Sequence, residues 1–372
     1  MNTQSGWTLS PGTRSWLSTL LRLVYFLFLL YLFFTSIELM SSAFKMAGRG
    51  FAEQLINTVS DPVAGLILGF VATGIIQSSS TTTTIVVGLV ASGALTIPLA
   101  VPIVMGANIG TTTTNTLVSM GHVTRPAEFE RAFSASTVHD FFNVLAALTI
   151  LPIEILFHPV EKMAIVLQGV FAGAGGMNLA SPLKAVVGPL ADVISGLIPR
   201  TIPLAILGLA LLFLALQQMM KVMRGAILSR LETLFDRVLF RNDAASFTLG
   251  MVATASVQSS SATTSLIVPL AGTGVLNLRQ IFPYTLGANI GTTITAILAS
   301  FSTGNPAAVT VAFAHLSFNI LGILIYYPLK AIPIWLATKA GKLAARSRKS
   351  SATVVGIYIA LIFLPLLYVF LS

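Results

Sequence analysis

The chain has 372 residues, of which 55% are hydrophobic and only 9% charged, with a mean hydropathy of +0.88. A soluble domain carries roughly a quarter charged residues, so most of this surface must face lipid. The lack of cysteine excludes disulfides, thiolate metal sites and thiol chemistry, and the net charge of +9 lies at the ends of apolar runs rather than in a basic stripe, which points to membrane topology and anionic lipid and away from nucleic acid.

Residues 17–40 form the first long apolar run, enough to cross a hydrocarbon core of about 30 Å as a helix and too long for a cleaved leader. Residues 62–92 carry no charge and hold Gln77-Ser78-Ser79-Ser80. About a dozen apolar residues flank that motif on each side, half a bilayer at helical rise, so the pattern predicts a re-entrant helical hairpin broken at the motif. Residues 98–120, with Gly106-Ala107-Asn108-Ile109-Gly110-Thr111-Thr112, are expected to cross inward, and 132–157 outward. Residues 158–200 read as an outer connecting segment, 202–220 as an inward span and 221–241 as a basic amphipathic segment at the inner surface. A second hairpin over 246–272 carries Gln258-Ser259-Ser260-Ser261; 281–301, 308–338 and 353–371 complete the expected crossings.

Orientation follows from charge. Lys221, Arg224, Arg230, Arg237 and Arg241 form one basic cluster, and Lys339, Lys342, Arg346, Arg348 and Lys349 another. The positive-inside rule puts both in the cytoplasm, with the charged loop 125–131. The uncharged loop 302–307 falls outside. The N-terminus is then inside and the C-terminus outside.

The two Gln-Ser-Ser-Ser motifs and the two Gly-Ala-Asn-Ile-Gly-Thr-Thr segments share one offset, 181 residues, and His139-Asp140-Phe141-Phe142-Asn143 answers to His315-Leu316-Ser317-Phe318-Asn319 at an offset of 176. Three expected spans separate the hairpins, and an odd number inverts the second copy. The fold class expected is an all-α integral membrane protein of inverted repeats, each with a re-entrant hairpin plus transmembrane helices. Its parts are 1–157, the first repeat with an N-terminal span; 158–200, the outer connection; 201–340, the second repeat; and 341–372, a basic loop and last helix.

Backbone groups freed by a broken helix inside a membrane need partners. Ser and Thr hydroxyls both donate and accept, so the hairpin tips can serve an oxyanion and ligate a cation at once. Close packing by small residues is the plain alternative, weakened by the repetition in register. Asn108 and Asn289, each flanked by two glycines, read as support for a helix break. Asp140 is the sole acidic residue between Glu130 and Glu154. A carboxylate there needs a cavity and a partner: either Na⁺, a hard cation that prefers oxygen, or a histidine, His139 or His315.

These residues resemble the type II sodium-dependent phosphate cotransporters. The paired Gln-Ser-Ser-Ser motifs, the paired Gly-Ala-Asn-Ile-Gly-Thr segments and the stretch Arg131-Ala132-Phe133 with Val138 to Asn143 carry the likeness, over roughly residues 15–340. The resemblance implies sodium-driven uptake of inorganic phosphate by alternating access, and no enzyme activity. It implies phosphate at Ser78, Ser79, Ser259 and Ser260. It implies sodium at Gln77, Ser80, Thr116, Asp140, Asn143, Gln258, Ser259, Thr292 and Thr295. Ser134 and Ser136 stand where electrogenic members tend to have alanine, and Arg125 lies in a stretch where animal members carry an acid. The cysteine-free, compact chain looks bacterial, which implies the cytoplasmic (inner) membrane. The expected partners are phosphate, co-transported sodium and the lipid bilayer, with no nucleic acid and a homo-oligomer left open. Another small anion as substrate, a channel with a hydroxyl-lined pore, and an intramembrane serine hydrolase are the other readings; the last lacks a Gly-x-Ser-x-Gly elbow.

Overall fold

The computed structural model describes residues 11–59, 61–111, 113–238, 242–347, 350–354, 356–357 and 360. Every regular element among them is helical. α1 (Pro11–Thr58) bends at Gly48, where φ is +76°, a value glycine adopts without strain. The arms of the first hairpin are α2 (Pro62–Ile76) and α3 (Ser79–Ser92). After them come α4 (Ile97–Gly110), α5 (Thr113–Ser119), a 3₁₀ turn at Met120–His122 and α6 (Pro126–Phe157). α7 (Pro159–Gly173), α8 (Gly176–Leu197) and α9 (Thr201–Val238) connect to the second hairpin, built from α10 (Asp243–Val257), α11 (Ser260–Thr264) and α12 (Ile267–Gly272). α13 (Leu278–Thr303), α14 (Pro306–Tyr326) and α15 (Ala331–Ala345) follow.

Among the described residues, five segments are long and apolar enough to cross a membrane: Thr19–Gly48, Pro126–Phe157, Thr201–Met223, Leu278–Thr303 and Pro306–Tyr326. A sixth is added if the sharply bent pair Gly50–Asn57 and Pro62–Ile76 counts as one. The protein is an all-α, multi-pass membrane protein.

Several expected boundaries differ. The crossing expected over 98–120 is broken after Gly110. Four successive threonines follow it; β-branching and back-bonding, such as Thr111 Oγ1 to the Ala107 carbonyl at 3.2 Å, weaken a helix there. The second copy reads Thr292-Thr293-Ile294-Thr295 at that point, with one hydroxyl fewer, and α13 runs through unbroken. The single crossing expected over 308–338 is two helices, since Pro328 supplies no N–H to continue α14. The outer connection 158–200 is helical: α7 packs on α14, and α8 on α1 and α13. The buried Glu154 carboxylate caps α7, accepting from Val160 N at 2.7 Å and Glu161 N at 3.1 Å. The segment expected from 221 is a continuation of α9 as far as Val238. The last span, 353–371, lies almost wholly outside the described residues.

A core of Phe142, Phe282, Tyr284 and Phe318 joins α6, α13 and α14. Phe142 meets Phe282 edge-on at 6.0 Å and Tyr326 edge-on at 6.4 Å. Lipid is as apolar as these side chains, so packing and hydrogen bonds, rather than exclusion of water, hold the helices together. Glycine makes the closest approaches. A Cβ on Gly69 would strike the Ile103 carbonyl, and one on Gly106 the Leu66 carbonyl; Gly250 and Gly287 stand likewise against the carbonyls of Tyr284 and Phe247. The same two-way clasp joins α2 to α4 and α10 to α13.

Candidate functional site

Both hairpins break in the same way. α2 ends at Gln77 and α10 at Gln258, each left-handed with φ of 59° and 58°. Ser78 and Ser259 then cap the following helices, with φ of −153° and −151°. Ser78 Oγ accepts from Thr81 N at 3.2 Å and from Thr81 Oγ1 at 2.9 Å; Ser259 Oγ accepts from Ala262 N at 3.2 Å. A hydroxyl oxygen that accepts from the helix still has its own O–H proton to donate. The two arms are pinned at the tip by Thr73 Oγ1 to Thr82 Oγ1 at 2.9 Å and by Thr254 to Thr263 at 2.7 Å. Thr82 and Thr263 also donate to the carbonyls of Ser78 and Ser259, both at 3.2 Å.

The arms after the breaks are exchanged. α3 packs on α13 and α14 of the other copy, while α11 and α12 pack on α5 and α6 of the first. Ser79 and Ser80, like Ser260 and Ser261, are buried there. Ser261 Oγ donates to the Thr111 carbonyl at 3.0 Å, and Thr264 Oγ1 shares bonds of 2.9 and 3.2 Å with the Asn115 amide. None of the motif serines lines the cavity of about 530 Å³ between α1 and α8, whose walls include Glu38, Lys184 and Asp192.

Between the copies runs a chain of buried amides and imidazoles. His139 Nε2 meets Asn289 Oδ1 at 2.5 Å and His315 Nε2 meets Asn108 Oδ1 at 3.2 Å. An amide oxygen only accepts, so each ring carries its proton on Nε2. The Asn289 amide N–H donates to Asn143 Oδ1 at 2.7 Å, and that of Asn143 to the Asn108 carbonyl at 3.0 Å. Both histidine Nδ1 atoms lack a hydrogen-bond partner. Each ring's Nε2 bond thus runs to an asparagine, and the Asp140 carboxyl is buried.

A model of the family described as "Na+/Pi-cotransporter" matches residues 32–221 and 211–366. The chain belongs to this family. Sodium-dependent phosphate transport protein 2A of Oryctolagus cuniculus is 32% identical over 93% of this chain, and that of Ovis aries 32% over 89%. Sodium-dependent phosphate transport protein 2B of Homo sapiens is 31% identical over 88%. This chain spans 66%, 65% and 62% of those relatives' own lengths. No solved structure matches it.

In this member of the cotransporter family, six of the nine residues singled out for sodium fall into two groups. Thr116 Oγ1, Thr295 Oγ1 and Gln258 Oε1 are buried oxygens with no hydrogen-bond partner in the protein, each of the kind a hard cation takes. Thr292 Oγ1 is turned back to the Ala288 carbonyl at 2.9 Å, the Gln77 amide to the Gly74 carbonyl, and Asn143 to the two asparagines. Sequence reasoning missed Asn115 and Ser261. Asn115 had a signal: its repeat mate is Ala296, a break in symmetry like that of Asp140 and Leu316. Glu154, His158 and Glu161 bring three potential ligand atoms within 4.8 Å of one another, with Glu154 serving as the helix cap described above.

Proposed function

We propose that the protein couples the entry of sodium to the uptake of inorganic phosphate across the cytoplasmic membrane, through alternating access between inverted repeats over 1–157 and 201–340. Sodium-dependent phosphate transport is what the relatives' names state. The observation that carries the reading here is the exact repetition of the broken tips: two left-handed glutamines, two serine caps and two threonine pins. Phosphate would take hydroxyl and backbone N–H donors at Ser78, Ser79, Ser259 and Ser260. Sodium would take oxygen at Gln77, Ser80, Thr116, Asp140, Asn143, Gln258, Ser259, Thr292 and Thr295, with Asn108 and Asn289 supporting the breaks. The exchange of hairpin arms between copies supports a two-fold relation, since reciprocal contacts are what such an axis generates.

No Lys or Arg lies between 62 and 92, 243 and 272, or 281 and 301. A phosphate held there has only neutral donors and sodium to balance its charge, so each ligand should raise the affinity for the other by the same factor. Uptake of radiolabelled phosphate into proteoliposomes tests the function. An inward sodium gradient should drive saturable accumulation, and an equal potassium gradient should not. Accumulation that is equal in the two salts contradicts the reading.

A further inference from the structure

We propose that Asn319 is a further working residue of the transport cycle, accepting the side-chain amide of Asn108 in the state that faces the opposite side. This rests on the alternating-access reading above.

The inter-copy network is symmetric in its histidines and asymmetric in its amides. Asn143 and Asn319 are mates at 176, Asn289 and Asn108 at 181. One bond of the pair is made: Asn289 donates to Asn143 Oδ1 at 2.7 Å. Its mate would run from Asn108 to Asn319 Oδ1. Instead the Asn108 amide donates to Val104 O at 3.2 Å, and the Asn319 amide to His315 O at 2.9 Å. Both are bonds to the residue four back on the same helix. They fix which end of each amide is nitrogen, and so place Asn319 Oδ1 as the atom without a partner in a residue that is 0% exposed. An amide oxygen buried without a donor is costly, and the Asn108 amide is the donor that the repeat pairs with it.

In a carrier of inverted repeats, the opposite state arises when the two copies exchange conformations. Applied to these residues, the exchange breaks the bond from Asn289 to Asn143, returning those amides to their own helices, and makes the bond from Asn108 to Asn319. One inter-copy amide bond exists in each state. The histidine bonds stay, and hold Asn108 and Asn289 by their oxygens while their N–H groups change partner. Such an exchange leaves the two states close in free energy, which a carrier needs in order to cycle.

The chain has no cysteine, so a spin-label pair at the exposed Thr96 and Thr273 can report the populations of the two states directly. Asn319→Leu keeps size and removes a contact made only in the opposite state. It should favour the arrangement described here by roughly fivefold to tenfold. Asn143→Leu removes a contact made only in this arrangement and should shift the populations the other way by a similar factor. If Asn319→Leu does not fold, Asn319→Ala takes its place in the comparison. Shifts in the same direction, or unchanged populations in both variants, overturn the proposal. So does a fall in sodium affinity with unchanged populations in Asn319→Leu, which would make Asn319 an ion ligand instead. A wild-type protein with one distance in every combination of sodium and phosphate would instead refute alternating access itself.

Discussion

In the first hairpin the arm after the break runs uninterrupted from Ser79 to Ser92; in the second it stops at Thr264 and resumes at Ile267. Pro269 accounts for this, because it has no N–H for the Ser265 carbonyl, whereas its mate Gly88 has one. The docking of the two arms differs too. The second is hydrogen-bonded to the opposite copy through Ser261 and Thr264. The first rests on an apolar face in which Val86, Val87 and Val90 meet Ala296, Val311 and Ala312, and its Thr83 and Thr84 hydroxyls have no partner. Gln77 is exposed, and Gln258 half-buried. The tips, which would hold the ligands, are copied closely; the arms beyond them, which hold the hairpins to the opposite copy, are not. The second arm is tied to the opposite copy close to its tip, whereas the tie of the first lies at its far end, where Asn305 Nδ2 donates to the Ala91 carbonyl at 3.0 Å.

The largest effect should come where the copies are most alike. Gly106→Ala and Gly287→Ala each drive a methyl into a backbone carbonyl, and overpacking of this kind costs about 1–3 kcal/mol or more. Thermal unfolding in detergent should show both variants strongly destabilised and by similar amounts; a harmless change at either position would mean the shared clasp is not shared. Next comes the pair of mates Thr264 and Thr83. Thr264→Val leaves the buried Asn115 amide unpaired, at about 1–3 kcal/mol. Thr83→Val removes a hydroxyl that bonds to nothing, and should change stability by less than about 0.5 kcal/mol. Equal losses at the two sites would erase the contrast between the two arms near their tips. A smaller difference is expected for Ser261→Ala, which loses one hydrogen bond of about 1 kcal/mol.

The smallest effect concerns the hairpin roots. Asp243 lies 2.6 Å from Lys330 Nζ and accepts from Tyr327 Oη at 3.0 Å. The hydrogen bond from the Lys330 ammonium holds its carboxyl below the usual carboxylate range. Its stabilisation is therefore present above the ordinary carboxyl pKa and lost as pH falls through the lowered value. The mate of Asp243 is Pro62, which has no charge. Melting curves of wild type and Asp243→Asn should differ slightly at neutral pH and converge in acid. A difference that persists in acid would rule this out.

Much of this was legible in the sequence because the repeat is legible. The offset of 181 marked the breaks within the two Gln-Ser-Ser-Ser motifs. Composition marked the membrane. The lost boundaries turned on local competition that hydropathy does not register: four threonines after Gly110, and Pro328 at the end of α14. Nor could the sequence show which amide meets which. His139 and Asn289 lie 150 residues apart, and their pairing follows from the exchange of arms between copies, a tertiary fact. Asp140 was visible as a buried acid, but the pairing of each histidine with an asparagine was not.

The central claim is that a site without cationic side chains binds phosphate only together with sodium. Calorimetric titration of inorganic phosphate into the purified protein, in sodium chloride and in potassium chloride of equal strength, tests it most directly. Saturable binding heat is expected in sodium and none in potassium. Undiminished phosphate binding in potassium would contradict it.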